Sequence, residues 1–330
     1  MRIDSSAPTR IDLAGGTYDI WPLYLFHDRA QTINAAISLR ARCSLRSRRD
    51  YEVHLISEDT GEHVVASDPA GLDIDQLPLV ARLVRLFGAR GIEVRTRSES
   101  PVGAGIAGSS AMAIAVVGAL AAWTGRPMTD DEIFQMAMNV EAQVIRVPTG
   151  VQDYRPAFYG GVSAIEMGVT GVRRVQLDVD AAELARRLVL AYTGASRNSG
   201  INNWDVMVRR INGDDTVTAA FDAIGRTAAA MRAALEAGDW TAVGSLMTDE
   251  WQARKRLAPG VTTPDIDQML ERARFAGALA GKVCGAGGGG CLVCLVDPDR
   301  RGEVEASLTA AGARVLPFRI EEQGLAVERV

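Results

Sequence analysis

Pro101-Val-Gly-Ala-Gly-Ile-Ala-Gly-Ser-Ser110 is the stretch on which the reading of this chain turns. It follows Ile92-Glu-Val-Arg-Thr96, whose alternation predicts a strand, and it opens an apolar run to Trp123 that predicts a helix from about Ser109. Gly103, Gly105 and Gly108 let backbone N–H groups turn inward, and the helix start adds unpaired donors and the positive end of its dipole. The segment is therefore a cradle for phosphate. Its spacing also satisfies G-x-G-x-x-G, but a dinucleotide-binding unit requires a second strand ending in an acidic residue ~20 positions on. Thr124-Gly-Arg-Pro-Met-Thr-Asp-Asp-Glu132 supplies a turn and a second helix start instead, which excludes that unit. The Walker type is excluded as well, because no Gly-Lys-Ser/Thr follows the loop.

Working outward, Ser109 and Ser110 offer hydroxyls at the helix start, where they either cap the helix or reach a magnesium ion or a β-phosphate oxygen. Thr129 and Glu132 form a capping box that predicts a helix to about Arg146. Its apolar stripe is Ile133, Met136, Ala137, Val140 and Val144, and Glu141 lies on the same face, eight residues after Ile133. A carboxylate there needs a cation, for which magnesium is the natural candidate, or else it snorkels to water. Beyond it, Thr149-Gly-Val-Gln-Asp-Tyr-Arg-Pro-Ala-Phe-Tyr-Gly-Gly161 has neither helical nor strand periodicity. Asp153 in that loop is either a turn-former or a general base for a substrate hydroxyl.

The remainder sets bounds. At 330 residues the chain is long enough for two domains, and 47% hydrophobic with 23% charged residues excludes disorder along most of it. A formal charge of −5 excludes a nucleic-acid coat or a polybasic membrane surface, while leaving room for a local basic pocket. Lys255 and Lys282 are the two lysines among 36 lysines and arginines, so a lysine nucleophile has two candidates. Met1 to Pro8 lacks an apolar signal core, and Ala111 to Trp123 falls short of the ~20 residues that cross a bilayer, so the expectation is a cytoplasmic protein. Cys291-Leu-Val-Cys294 lies in a strand-like run where positions three apart face opposite sides, which predicts core thiols rather than zinc ligands. His27, His54 and His63 are scattered and predicted to be bland.

The first half alternates strands (Arg10–Leu13, Thr32–Arg46, Glu52–Ile56, His63–Val65) with the helices above, and 149–161 leads back to strands ending near Val179. Long helices then run over about Ile201–Ile211, Thr216–Ala237, Ala242–Leu257 and Pro264–Leu279, before a glycine-rich strand segment at Lys282–Val296, a helix at Arg301–Ala311 and a terminal strand pair. This pattern is α+β, divided into residues 1–179 and 180–330. Cys284-Gly-Ala-Gly-Gly-Gly-Gly290 is too glycine-dense for ordinary strand packing and predicts close approach to backbone or ligand.

Three segments in order, Ala7-Pro-Thr-Arg-Ile-Asp-Leu-Ala-Gly-Gly-Thr-Tyr-Asp19, Pro101–Ser110 and Lys282–Gly290, resemble the GHMP superfamily of galactokinase, homoserine kinase, mevalonate kinase and phosphomevalonate kinase. Ala14-Gly-Gly-Thr17, Gly150-Val-Gln-Asp153 and Tyr192-Thr-Gly-Ala-Ser-Arg197 look most like its bacterial D-glycero-D-manno-heptose 7-phosphate kinases. Fucokinase-like and galactokinase-like kinases, which act on unphosphorylated sugars, are similar at lower specificity. The resemblance implies a two-domain fold, ribosomal protein S5 domain 2-like at the N-terminus and ferredoxin-like at the C-terminus. It implies ATP held by Pro101, Gly103, Gly105, Ile106, Ala107, Gly108, Ser109 and Ser110, with Ser110 and Glu141 on Mg²⁺. Asp153 matches the catalytic aspartate and Arg10 its basic companion. Gly16, Thr17, Asp19, Gln152, Arg197, Gly287 and Gly288 fall on the acceptor side. Arg197 or Arg155 is the expected clamp for an acceptor phosphate, or else plain surface charge. The expected partners are ATP and a sugar or sugar phosphate, with a homodimer compatible; a sensor that binds both ligands without turnover is the rival reading.

Overall fold

The computed structural model describes residues 1–196 and 199–330, and of 199–202 only the backbone. The chain runs β1 (Arg2–Ala14), β2 (Ala30–Ser47), β3 (Val53–Ser57), β4 (His63–Ala66), α1 (Pro78–Phe87), β5 (Ile92–Ser98), α2 (Gly108–Thr124), α3 (Asp130–Ile145), α4 (Tyr154–Tyr159), β6 (Val162–Gly168) and β7 (Gly171–Gln176). It continues through α5 (Ala181–Arg187), β8 (Leu188–Tyr192), α6 (Ser199–Ile211), α7 (Asp215–Ala237), α8 (Trp240–Lys255), α9 (Pro264–Phe275), β9 (Ala278–Val283), β10 (Cys291–Val296), α10 (Arg301–Ala310), β11 (Arg314–Val315) and β12 (Ala326–Arg329).

Two sheets organise these elements. The first has eight strands in the order β12-β1-β2-β5-β3-β4, with β6 and β7 continuing from β2. It is antiparallel except where β3 runs parallel to β5. Two roles for one long strand explain the branch: Ala30–Ala35 of β2 pairs with β6, while Ala41–Ser47 pairs with β5. The second sheet is antiparallel in the order β11-β8-β10-β9, the strand order of a ferredoxin-like βαββαβ unit.

Helix α2 is apolar all round because it is covered all round; Ser110 through Leu120 are buried between the first sheet and α1, α3 and α4. Beneath it lie Ile3, Ala7, Ala41, Cys43 and Leu45, from one end of β1 and β2. The other end of the same strands, Ile11, Leu13, Ile33, Ala35 and Ile37, packs with Ala228, Met231 and Leu235 of α7, Met247 of α8, and Leu190 and Val293 of the second sheet. Apolar contact thus continues from one sheet to the other, with β1 running through both cores.

Some expectations change. The segment 149–161 contains α4, whose six residues are too few to show periodicity. The two terminal strands do not pair: β11 joins β8 in the second sheet, and β12 returns to β1 in the first. Helix α9 stops at Phe275, and the apolar residues after it belong to β9. Cys291 and Cys294 are buried in different clusters on opposite faces of β10, so they cannot share an ion. His54 and His63, nine residues apart, meet diagonally across the β3–β4 pair with ring nitrogens 3.1 Å apart. Asp50, Glu52 and His54 bring ligand atoms within 4.8 Å, the one such grouping among the described residues, and Arg48 already engages Asp50. No helix among the described residues is long and apolar enough to cross a membrane.

Candidate active site

The glycine loop between β5 and α2 turns as its composition predicts, with Gly103 at φ 69° and Gly105 at φ 77°. Ala107, left-handed at φ 61°, is the N-cap of α2, and no side chain caps that end. Capping is therefore not what Ser109 and Ser110 do. Both hydroxyls point across to α3 and donate to Glu141, Ser110 to Oε2 at 2.8 Å and Ser109 to Oε1. The capping box of Thr129 and Glu132 fixes the start of α3 and hence the phase that turns Glu141 inward. Tyr154, at the start of α4, donates a third hydroxyl to Glu141 Oε2 at 2.7 Å. Glu141 is 6% exposed, and burial pushes its carboxyl upward despite these three donors, with the negative charge of Asp153 adding to the rise. No arginine or lysine among the described residues forms an ion pair with it. A buried all-oxygen set at a helix start suits a small hard cation, which would lower the energy of the ionised carboxylate.

Arg10 projects from β1 into the same region. Its Nη1 donates to the carbonyl of Gly105 at 2.9 Å, while Nε donates to Asp153 Oδ1 at 3.0 Å and Nη2 reaches the same oxygen. Burial opposes its charge, but Asp153 and Asp12 outweigh burial and raise its pKa. Both guanidinium contacts fall on Oδ1, and Asp153 lines the cleft. Asp19 is buried at 1%, accepts the Gln152 amide N–H at 3.0 Å, and has its carboxyl pushed up to about 7 by burial and by the charge of Asp153. Gln152 Oε1 is buried with no hydrogen-bond partner.

These groups line one cleft of about 560 Å³. Its walls are the β3–β4 turn (Asp59, Thr60, Glu62), the start of α1 (Leu77–Val80), the loop and helix start at 101–105 and 107–110, Glu141, residues 148–150, Gln152, Asp153, Thr17, Asp19 and Asn203. The second glycine loop contributes Gly285 and Ala286. Gly287 and Gly288, expected on the acceptor side, instead pack against the backbone of Gly260 and Val261. Gly290 lies against the first loop, where a Cβ would sit 2.6 Å from the carbonyl of Ala104. The Cys291 N–H donates to that same carbonyl at 2.7 Å, so the two glycine loops are stitched backbone to backbone. Ile106 is buried below the loop, its carbonyl accepting from the Arg10 N–H at 3.0 Å. Gly16 is set back from the cleft under the guanidinium of Arg254. Arg155 turns away to stack over Phe134 at 4.7 Å, so it is not placed to clamp an acceptor. Arg197 lies outside the described residues.

Sequence reasoning missed Tyr154, the β3–β4 turn and a set of buried charges behind Arg10. Tyr154 carries the signal of an aromatic beside Asp153, but only the turn into α4 shows that it faces Glu141. The turn carries no signal, since it reaches the cleft through pairing of β3 with β5.

A glycine loop at a helix start, facing an aspartate that an arginine holds, has the chemistry that phosphoryl transfer to an alcohol needs. Comparison with known proteins supplies the family. Residues 77–161 match the GHMP kinases N terminal domain and residues 231–314 the GHMP kinases C terminal domain, and the chain belongs to the GHMP kinases. It is similar to a D-glycero-alpha-D-manno-heptose 7-phosphate kinase of Campylobacter jejuni, with 27% identity covering 99% of each chain. It is 31% identical to a mevalonate kinase of Thermococcus gammatolerans over 100% of this chain and 99% of that one. In fold it is similar to the crystal structure of a D-glycero-D-manno-heptose 1-phosphate kinase from Bacteriodes thetaiotaomicron, with TM-score 0.81, 24% identity and 99% of each chain covered.

Proposed function

We propose that this chain transfers the γ-phosphoryl group of ATP to the anomeric hydroxyl of a sugar phosphate resembling a heptose 7-phosphate, in the cytoplasm. Residues 1–179 would carry the phosphate cradle and the aspartate, and residues 180–330 would close the cleft. The observation that carries the reading is one cleft with Ser109, Ser110 and Glu141 on one side and the Arg10–Asp153 pair on the other. The loop amides from Gly103 to Gly108 and the N-terminus of α2 would bind the β- and γ-phosphates. Ser110 and Glu141 would hold Mg²⁺, which when bound neutralises charge on the phosphate oxygens. Asp153 Oδ2 would orient the attacking hydroxyl and take its proton, while Arg10 fixes Oδ1 and offsets charge gathering on the transferred group. Asp19 and the unpaired Gln152 Oε1 would accept from the acceptor's other hydroxyls.

A galactokinase-like reaction on an unphosphorylated sugar is favoured by one observation: among the described residues lining the cleft, Arg10 is the sole cation. Free sugars and sugar phosphates offered with ATP, with the product position read by phosphorus NMR, separate the two. Consumption of ATP with no member of a broad panel would leave a binding sensor. The chemistry itself is tested in Asp153→Asn. Nucleotide binding should persist while turnover falls by ~10²-fold or more, and a near-normal rate would remove the aspartate from the mechanism.

A further inference from the structure

Behind Arg10 lies a charge network that the reaction as described does not use. Asp12, two residues on along β1 and on the same face, is completely buried. Its Oδ2 accepts from Lys282 Nζ of β9 at 3.1 Å, with Arg254 Nη1 of α8 at 3.5 Å. Its Oδ1 accepts the Gly285 N–H at 2.7 Å and lies 3.8 Å from Arg10 Nη1. Burial opposes the charge of Asp12, yet Lys282, Arg10, Arg254 and the Gly285 amide together hold its carboxyl at about 2. Glu250, equally buried, meets Lys282 at 3.0 Å and Arg254 at 3.4 Å but touches neither Arg10 nor Gly285. Space for this arrangement is built in, because a Cβ on Gly16 would collide with both Arg254 and Asp12. Buried ion pairs seldom repay their desolvation, so so large a set calls for another role.

We propose that Asp12 is a positioning residue for phosphoryl transfer, fixing the Arg10 guanidinium and the Gly285 edge of the second glycine loop in one frame. Asp12 is one carboxylate bridging two cleft elements from opposite halves of the chain. One of its oxygens faces the arginine that holds Asp153 and Gly105; the same oxygen ties down the amide at the cleft's far wall. The inference rests on the kinase reading above.

The test uses the full chain with ATP, Mg²⁺ and an acceptor found in the panel. Asp12→Asn should lower kcat by ~30-fold or more while the Kd of a non-hydrolysable ATP analogue stays within about threefold. Glu250→Gln should lower Tm and leave kcat within about twofold. The double variant Asp12→Asn with Lys282→Met removes one charge of each sign, and should fold yet stay slow. A folded Asp12→Asn or double variant turning over within about threefold of the parent overturns the proposal. Equal losses of kcat in Asp12→Asn and Glu250→Gln do so too, as does failure of both Asp12 variants to fold, since each leaves only a structural role. A parent that phosphorylates nothing sinks the kinase reading instead, before Asp12 is at issue.

Discussion

Asp19 shows how a single side chain trades stability against binding. Its carboxyl is raised to about 7 by burial and by Asp153, so the folded chain holds a proton there that the unfolded chain, near 3.8, has released. The stabilisation this gives is complete below about 4 and is lost as pH climbs through 7. Asp19→Asn should therefore melt several degrees above the parent at pH 8 and at nearly the same temperature at pH 4, as read by thermal scans. The carboxylate should be needed for the acceptor. For the parent, kcat/KM for the acceptor should fall as pH drops below about 7, as Asp19 takes up its proton. In Asp19→Asn that limb should vanish and the acceptor KM should rise ~10-fold at pH 8, with the KM for ATP unchanged. Glu141→Gln isolates the other wall: its amide oxygen can still accept from Ser110 and Tyr154 and its NH2 can donate to Ser109, but the charge is lost, so half-saturation by Mg²⁺ should rise ~10-fold or more. Unaltered Mg²⁺ dependence would take Glu141 out of the metal site. Several of these residues are legible in the sequence because their signals are local. Glu141 shows through the 3.6-residue phase of α3, and Ser109 and Ser110 through the glycines before them. Asp12 is not legible as a hub, since its partners Arg254 and Lys282 are 242 and 270 residues away.

Among the elements, α3 is defined at its start by chemistry that one substitution removes. Thr129→Ala removes the hydroxyl that accepts the Glu132 N–H, while the backbone N–H at 129 can still donate to Glu132, and should cost about 1 kcal/mol, seen as a Tm lower by roughly 2–4 °C. Turnover should fall only so far as Glu141 loses its phase. Gly290→Ala acts on the seam between the glycine loops. At φ 83° a side chain is strained, and its Cβ would press on the Ala104 carbonyl. The first loop should shift, weakening binding of the ATP analogue by ~10-fold or more, while Gly302→Ala, which meets nothing, leaves it unchanged. The sequence marks such elements where composition and capping agree, as in α2 and α3. It conceals α4, which is short, and it lengthens α9, because the apolar residues after Phe275 fit a helix until β9 claims them.

At the level of the whole molecule, alternating strands followed by long helices are enough to read α+β with two layers of sheet. The path of the tail is not readable, because a four-residue strand carries no address. Residues 319–329 run back along the first sheet: the Ser38 N–H donates to the Arg319 carbonyl, Glu321 exchanges hydrogen bonds with Ala36 and Gly161, Arg40 donates to the carbonyls of Gln323 and Gly324, and Leu325 packs on Gly118 of α2. Removing residues 324–330 would expose the edge of β1 and uncover α2. The shortened chain should melt several degrees lower and associate on heating, measured by light scattering.

The return of β12 also orders events in time. The strand carrying Arg10 and Asp12 leaves the ribosome long before the neighbour that completes its edge. A nascent chain therefore holds β1 open on one side until β12 emerges, and its Asp12 lacks part of its positive surround until Arg254 and Lys282 have been made. The strand that carries Arg10 and Asp12 is thus completed along its edge only after both glycine loops have been made.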